Sequence, residues 1–248
     1  MMELSKAFVI ILLSLLIAPN AVLSSSQALP SDRKEIECVI LLHGLGRTKN
    51  SMNKIAARLN RLGYLVWNEG YPSTEKPIAS LVTNHVRPAI EWAEQAGARK
   101  IHVVTHSLGG ILIRAYLQEN TLPAGSRIVM LSPPNSGSEV AENLKSFFLY
   151  KWVMGPAGQE LGTSSDSIPN RLKPVSADIG IIAGTRSMEP WFSMLIPGQD
   201  DGKVSVESTK LEEMDDFLMV KSTHPFIMKD RKVIDQVAAY LEQGRFRH

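Results

Sequence analysis

Residues 103–110, VVTHSLGG, decide the fold. A β-branched run meets Ser107 and two glycines, and an apolar helical pattern, LGGILIRAYLQEN (108–120), follows at once. A serine between a strand and a helix rides on a sharp turn that lifts its Oγ above the sheet, and glycines beside it let helix and strand approach closely. The usual pattern is G-x-S-x-G; here Thr105 replaces the first glycine, giving T-H-S-L-G. A second role fits the same octapeptide, because a serine ahead of a helix caps free N–H groups. Ser107 is therefore a nucleophile or a cap, and its context has to decide.

On either side, short apolar runs alternate with longer patterned segments, the signature of an α/β fold with a mostly parallel sheet flanked by helices. IECVILL (36–42), YLVWN (64–68), KIHVVTH (100–106), SRIVMLSPP (126–134), DIGIIAG (178–184) and FLMVKS (217–222) read as strands. SMNKIAARLNRLG (51–63) places Met52, Ile55, Leu59 and Leu62 on one helical face. IASLVTNHVRPAIEWAEQAG (78–97) is a long helix that Pro88 should kink or split. DRKVIDQVAAYLEQG (230–244) closes the chain as a helix. Residues 135–176 break the rhythm with a helix candidate, SEVAENLKSFFLYKWVM (138–154), and a Gly/Ser/Pro-rich stretch. They read as a small cap-like insertion above the C-terminal sheet edge, where open α/β sheets bind ligands. The apolar residues Phe147, Phe148, Leu149, Tyr150, Trp152, Val153 and Met154 suit either an acyl pocket or lid, or a helix packed on the core.

The bulk properties narrow the classes. With 248 residues, 44% hydrophobic, 27 Lys plus Arg against 25 Asp plus Glu, the chain has the make-up of a folded protein rather than a disordered one. No long basic block suggests phosphate contacts, so nucleic acid is not an expected partner. The one cysteine, Cys38, excludes an intramolecular disulfide framework and a thiolate zinc cluster, and its place in ECVILL predicts a buried thiol. AFVIILLSLLIA (7–18) follows Lys6 and is too short, at about 18 Å as a helix, for the roughly 30 Å hydrocarbon core. It reads as the h-region of a signal peptide over residues 1–24, with Val22 and Ser24 ahead of the cleavage site. Export to the periplasm or the exterior follows; an uncut segment would instead anchor the protein at a membrane. A single domain over residues 36–243 remains.

The first strand ends in LLHGLGR (41–47), a glycine-rich exit that can turn a backbone N–H towards a nucleophile. With the residue after the serine, it would supply an oxyanion hole from the main-chain N–H groups of Leu45 and Leu108. A serine also needs a base. Of the six histidines, His102 and His106 adjoin Ser107 and should point elsewhere, His43 sits in the glycine-rich turn, His85 lies mid-helix and His248 ends the chain. His224 follows the last strand at the sheet edge and is the candidate. The base needs a carboxylate to fix its tautomer. GQDDGKVSVES (198–208) offers Asp201 before Gly202, with Asp200 next and Glu189, Asp215 and Asp216 further back.

The ordered set HGLG (43–46), HSLGG (106–110), SPPNSGSE (132–139), DDGKVSVES (200–208) and STHPF (222–226) resembles the α/β-hydrolase superfamily, in particular its small bacterial lipase and esterase branch. It is similar to the PGAP1-like lipase-related proteins across essentially all of residues 36–243. The resemblance implies a triad of Ser107, Asp201 and His224, the acid falling on Asp201 because Val204 completes an Asp-Gly-x-Val turn. It places the oxyanion donors on Leu45 and Leu108, and His43, Gly44, His106 and Asn135 are the supporting residues. The implied activity is a serine carboxylester hydrolase acting through an acyl-enzyme on a small-molecule or lipid ester, without cofactor or metal. A thioesterase, amidase or acyltransferase would use the same triad, and a non-catalytic binding protein the same scaffold.

Overall fold

Six aliphatic runs form one sheet: β1 (Glu37–Leu42), β2 (Leu65–Trp67), β3 (Lys100–His106), β4 (Arg127–Leu131), β5 (Asp178–Gly184) and β6 (Asp216–Val220). The structure, a computed structural model, describes residues 35–248, which pack as one compact unit. The expected signal peptide or anchor over residues 1–24 lies outside the described residues. The strand order is β2-β1-β3-β4-β5-β6 and every neighbouring pair is parallel. Parallel strands covered on both faces need continuous apolar sequence rather than alternation, which explains CVILL and IVML. Along β1, Cys38, Ile40 and Leu42 enter one core while Val39 and Leu41 enter the other. Cys38 is free and fully buried.

The first core is closed by α2 (Ile78–Leu81), α3 (Arg87–Gln95) and α4 (Leu108–Tyr116); the second by α1 (Asn53–Arg61) and α10 (Arg231–Gln243). Met52, Ile55 and Leu59 are buried as expected, but Leu62, at the end of α1, is exposed. Ahead of Pro88 the helix changes type without being interrupted. A π-turn segment, Val82–Val86, joins α2 to α3, and the Arg87 N–H donates to Val82 O, five residues back. The wider turn accommodates a proline ring that lacks an N–H and would otherwise strike the preceding turn.

Between β4 and β5 the insertion forms three helices, α5 (Glu139–Leu144), α6 (Phe148–Gln159) and α7 (Ile168–Arg171). The single helix expected over 138–154 is broken at 145–147, and α6 is broken again at Gly155 (φ 62°, ψ −166°). A Cβ on Gly155 would overlap Thr74 O, so only glycine fits that junction. The Ile78 N–H donates to Glu160 Oε2 at 2.7 Å, which ties the insertion also to the first residue of α2. Two short helices, α8 (Pro190–Ser193) and α9 (Val206–Thr209), lie between β5 and β6. The chain runs from β1 outward to β2, then crosses back to β3 and on to β6, so the direction of winding reverses between β1 and β3. A crevice opens above such a switch point, at the carboxyl ends of the strands. The turn after β1 and Ser107 after β3 both stand there.

Candidate active site

Ser107 has φ 51° and ψ −119°, a strained backbone for a residue with a side chain, costing about 1–3 kcal/mol. Its neighbours hold it there. The Ser107 N–H donates to Leu131 O (2.9 Å) and its carbonyl accepts from Gly110 N–H (2.9 Å). A Cβ at Gly109 would lie 2.5 Å from Leu42 O, and one at Gly110 would lie 2.8 Å from Pro133 Cβ. The two glycines thus let α4 lie directly against β1 and the loop after β4. Gly109→Ala is expected to destabilise the fold by about 1–3 kcal/mol, because the obstructing atom is main chain; thermal unfolding would register it as a lower Tm. The side chain of Ser107 makes no capping bond to α4, so the capping role does not apply. Thr105, in place of the usual glycine, is fully buried with its Oγ1 unpaired.

The turn Gly44–Arg47 is closed by Arg47 N–H to Gly44 O (3.1 Å), with Gly46 at φ 64° in its third position. Ser73 Oγ accepts from Gly46 N–H at 3.0 Å and fixes the turn from outside. A side chain on Gly44 would run into the His106 ring, 2.6 Å from Nδ1, and would meet Ser107 Cβ at 3.3 Å. The turn therefore abuts the serine. Leu45 and Ser107 line the same cavity. Leu108 opens α4, where a main-chain N–H has no acceptor within its own helix. His43 is buried below the turn. Its Nε2 accepts from Tyr71 N–H (3.2 Å), Nδ1 faces Gly44 O (2.9 Å), and the ring stacks on Tyr71 at 3.9 Å. It shapes the turn rather than facing the cavity.

His224 Nδ1 lies 2.7 Å from Asp201 Oδ2. The other oxygen of Asp201 accepts from Lys203 N–H (3.1 Å) and Val204 N–H (3.0 Å), and Asp201 O accepts from His224 N–H (3.0 Å). This buried carboxylate is thus held by main chain on one side and by imidazole on the other. Gly202 supplies φ 97° for the turn, and Gly184, at the end of β5, leaves room for Asp201 Cβ at 2.8 Å from where its own would be. The other candidate acids lie elsewhere. Asp200 Oδ1 accepts from Ser193 Oγ and Gly202 N–H, Glu189 pairs with Lys203, Asp215 accepts from Ile179 N–H, and Asp216 accepts from Phe246 N–H.

His106 departs from expectation. Its ring does not point away from the serine's surroundings but packs 4.9 Å from the His224 ring, and its Nε2 lies 3.0 Å from His224 O. A carbonyl only accepts, so Nε2 carries the hydrogen and the buried, unpaired Nδ1 is a bare lone pair. Burial, then the nearby His224, hold its pKa well below the ordinary histidine range. Burial also lowers that of His43. Below about pH 6.5 the unfolded chain takes up protons at both positions that the folded chain refuses, so stability is lost as pH falls from there through the folded-state values. The Tm is expected to be lower at pH 5 than at pH 7.5, measured at constant ionic strength; a flat profile would contradict neutral burial.

Ser107, His106 and His224 open into a cavity of about 340 Å³ whose wall includes Leu45, Val140, Leu144, Val153, Met154 and Leu161. No hydrogen bond joins the Ser107 hydroxyl to His224; such bonds often close only when substrate is bound. Of the insertion's apolar cluster, Tyr150, Val153 and Met154 line this cavity, Tyr150 also packing against the first core, whereas Phe148 (81% exposed) and Trp152 (75%) face solvent. Asn135 sits behind the site, donating to Thr209 O (2.8 Å) and accepting from Arg114 Nη1 at its own carbonyl (3.0 Å). Arg114, Tyr71 and Ser73 went unread in the sequence. Only Arg114 left a signal there, as a lone charge in the apolar helix LGGILIRAY. Among the described residues, no group of three or more His, Cys, Asp or Glu converges as for a metal.

This is the α/β-hydrolase fold. No protein-family model and no curated protein matches the sequence. Among solved structures, the chain is similar to the mature form of the lipase BlEst2 from Bacillus licheniformis, with a TM-score of 0.69 and 19% identity over 82% of this chain and 91% of that one. It is also similar to the metagenomic carboxyl esterase MGS0156, with a TM-score of 0.60 and 14% identity over 84% and 76% of the two chains. An extracellular α/β-hydrolase from a Paenibacillus species matches with a TM-score of 0.51 and 15% identity over 86% of this chain and all (100%) of that one.

Proposed function

We propose that the protein is a serine carboxylester hydrolase of the lipase and esterase type, with Ser107 as nucleophile, His224 as base and Asp201 as its carboxylate. One observation carries this reading: a serine in strained backbone shares an apolar cavity with a histidine whose far nitrogen is tied to a buried carboxylate. With Asp201 accepting at Nδ1, the hydrogen of neutral His224 sits on that nitrogen and the lone pair of Nε2 is free for a proton. Ser107 Oγ attacks the ester carbonyl carbon as His224 takes its proton. The oxyanion meets the N–H groups of Leu45 and Leu108, each contributing on the order of 3 kcal/mol to the transition state. Collapse breaks the C–O bond to the alcohol, which leaves with the proton from His224, and water repeats the cycle to release the acid.

The kinship with lipases and esterases in fold, and the apolar wall given by Val140, Leu144, Val153 and Met154, support an acyl chain as the buried part of the substrate. The motif set supports a place near the PGAP1-like lipase-related proteins. Export after removal of residues 1–24 belongs to the same reading, supported by the apolar run at 7–18 and by the extracellular relative in fold. Among the described residues no helix is long and apolar enough to cross a membrane. The test is a panel of nitrophenyl esters of increasing acyl length, with the matching thioesters beside it. Turnover of the oxygen esters is expected. Inertness towards every ester would refute the proposal, and turnover of thioesters alone would move it to the thioesterases.

A further inference from the structure

We propose that Arg47 selects substrates bearing an anionic group across the scissile ester from an apolar acyl chain. This rests on the serine-hydrolase reading above and names its substrate class. Arg47 closes the same four-residue turn that carries Leu45, so its main chain is fixed beside the oxyanion position. Its half-buried side chain lines the cavity shared by Ser107 and His224, and no carboxylate of the described residues forms an ion pair with it. Lys203, the other cation of the lining, is already satisfied. It pairs with Glu189 at 3.0 Å and stands 3.7 Å from the centre of the Phe192 ring.

A partly desolvated guanidinium is best matched by an oxyanion such as a phosphate, sulfonate or carboxylate, which its planar fork can hold with two bonds. The apolar part of the wall, with Val140, Ala141, Leu144, Val153, Met154 and Leu161, rejects charge. Arg47 lies at the turn after β1 and these apolar side chains on or near the insertion, so the anion and the alkyl chain would occupy different ends of the cavity, on opposite sides of the ester.

Two substrate pairs with a common octanoyl chain test this: nitrophenyl octanoate against its ring-sulfonated counterpart, and monooctanoylglycerol against monooctanoylglycerol phosphate. In Arg47→Gln, the ratio of kcat/KM for the anionic over the neutral member is expected to fall by about tenfold or more, mainly through KM, with Arg47→Lys recovering part of it. A fall in one pair only names which anion the site accepts. A ratio within about twofold of the intact protein in both pairs overturns the proposal. Should Arg47→Gln not fold, the intact protein answers: the ratio is expected to drop when salt is raised to about 0.5 M, and a salt-independent ratio overturns the proposal. If the intact protein hydrolyses no member of either pair, the serine-hydrolase reading itself fails, and this one with it.

Discussion

Ser107→Ala is expected to lower kcat for ester hydrolysis by about four to six orders of magnitude while leaving Tm within a few degrees of the intact protein. The two halves of that expectation come from different features. The loss in rate follows from removing the attacking oxygen, after which the oxyanion donors and the cavity can only bind. The unchanged stability follows from the hydroxyl making no cap to α4. Alanine keeps a Cβ, so the strain at φ 51° is carried over rather than released. Residual hydrolysis above about one part in a hundred, well above the floor left by binding and oxyanion contacts alone, would mean that another group attacks the ester. A large fall in Tm would mean that Ser107 is a structural residue after all.

Asp201→Asn should lower kcat by about 10⁴-fold, against less than about tenfold for Asp200→Asn. The reason is the division of labour between the two carboxylate oxygens. Asp201 Oδ1 is committed to two main-chain N–H groups, of Lys203 and Val204, so the carbonyl oxygen of asparagine must take that side. The amide NH2 then faces His224 Nδ1 and donates to it. The imidazole is driven into the other tautomer, its hydrogen sits on Nε2, and the nitrogen facing the cavity can no longer accept a proton. Asp200 bonds to Ser193 and Gly202 and touches no part of His224, so its amide can preserve the turn. A larger loss at position 200 than at position 201 would reassign the acid. Thermal unfolding separates a wrong tautomer from a distorted loop, since the first leaves Tm near that of the intact protein and the second lowers it.

Much of this architecture was legible in the chain because it is written in local terms. The strands β1, β3, β4 and β5 announce themselves as apolar runs, since a strand buried on both faces has no polar side to interrupt it. Ser107, Gly109 and Gly110 are adjacent in sequence, so the junction they form could be recognised without knowing what surrounds it. Asp201 stood out from Asp200 through Gly202, whose φ of 97° the turn requires. What escaped depends on contacts between distant segments. The His106 ring reaches His224 across 118 positions of chain, and nothing in T-H-S-L-G says that it turns towards that residue. Arg114 meets Asn135 and Leu172, and Ser73 meets Gly46, only once the loops are stacked. The break of the insertion into α5 and α6 was hidden for another reason. FFLYKWVM is apolar but for Lys151 and helix-compatible throughout, so neither its period nor its composition marks where the helix must bend to keep Val153 and Met154 on the cavity and leave Phe148 and Trp152 in water.

Gly155 abuts the main chain of Thr74, Glu160 holds Ile78, and a Cβ on Gly158 would come within 3.2 Å of the Leu45 side chain. Thr74 directly follows Ser73, whose hydroxyl pins the turn beside the serine. The second half of α6 is thus a buttress for the glycine-rich turn, while its first half forms the cavity roof. For anyone recombining such proteins, the insertion has two grades of exchangeability. A foreign roof spliced between α5 and Gly155 is expected to leave the turn braced, whereas a cassette cut at 135 and 176 removes the brace along with the roof and leaves the turn that carries Leu45 without a backstop.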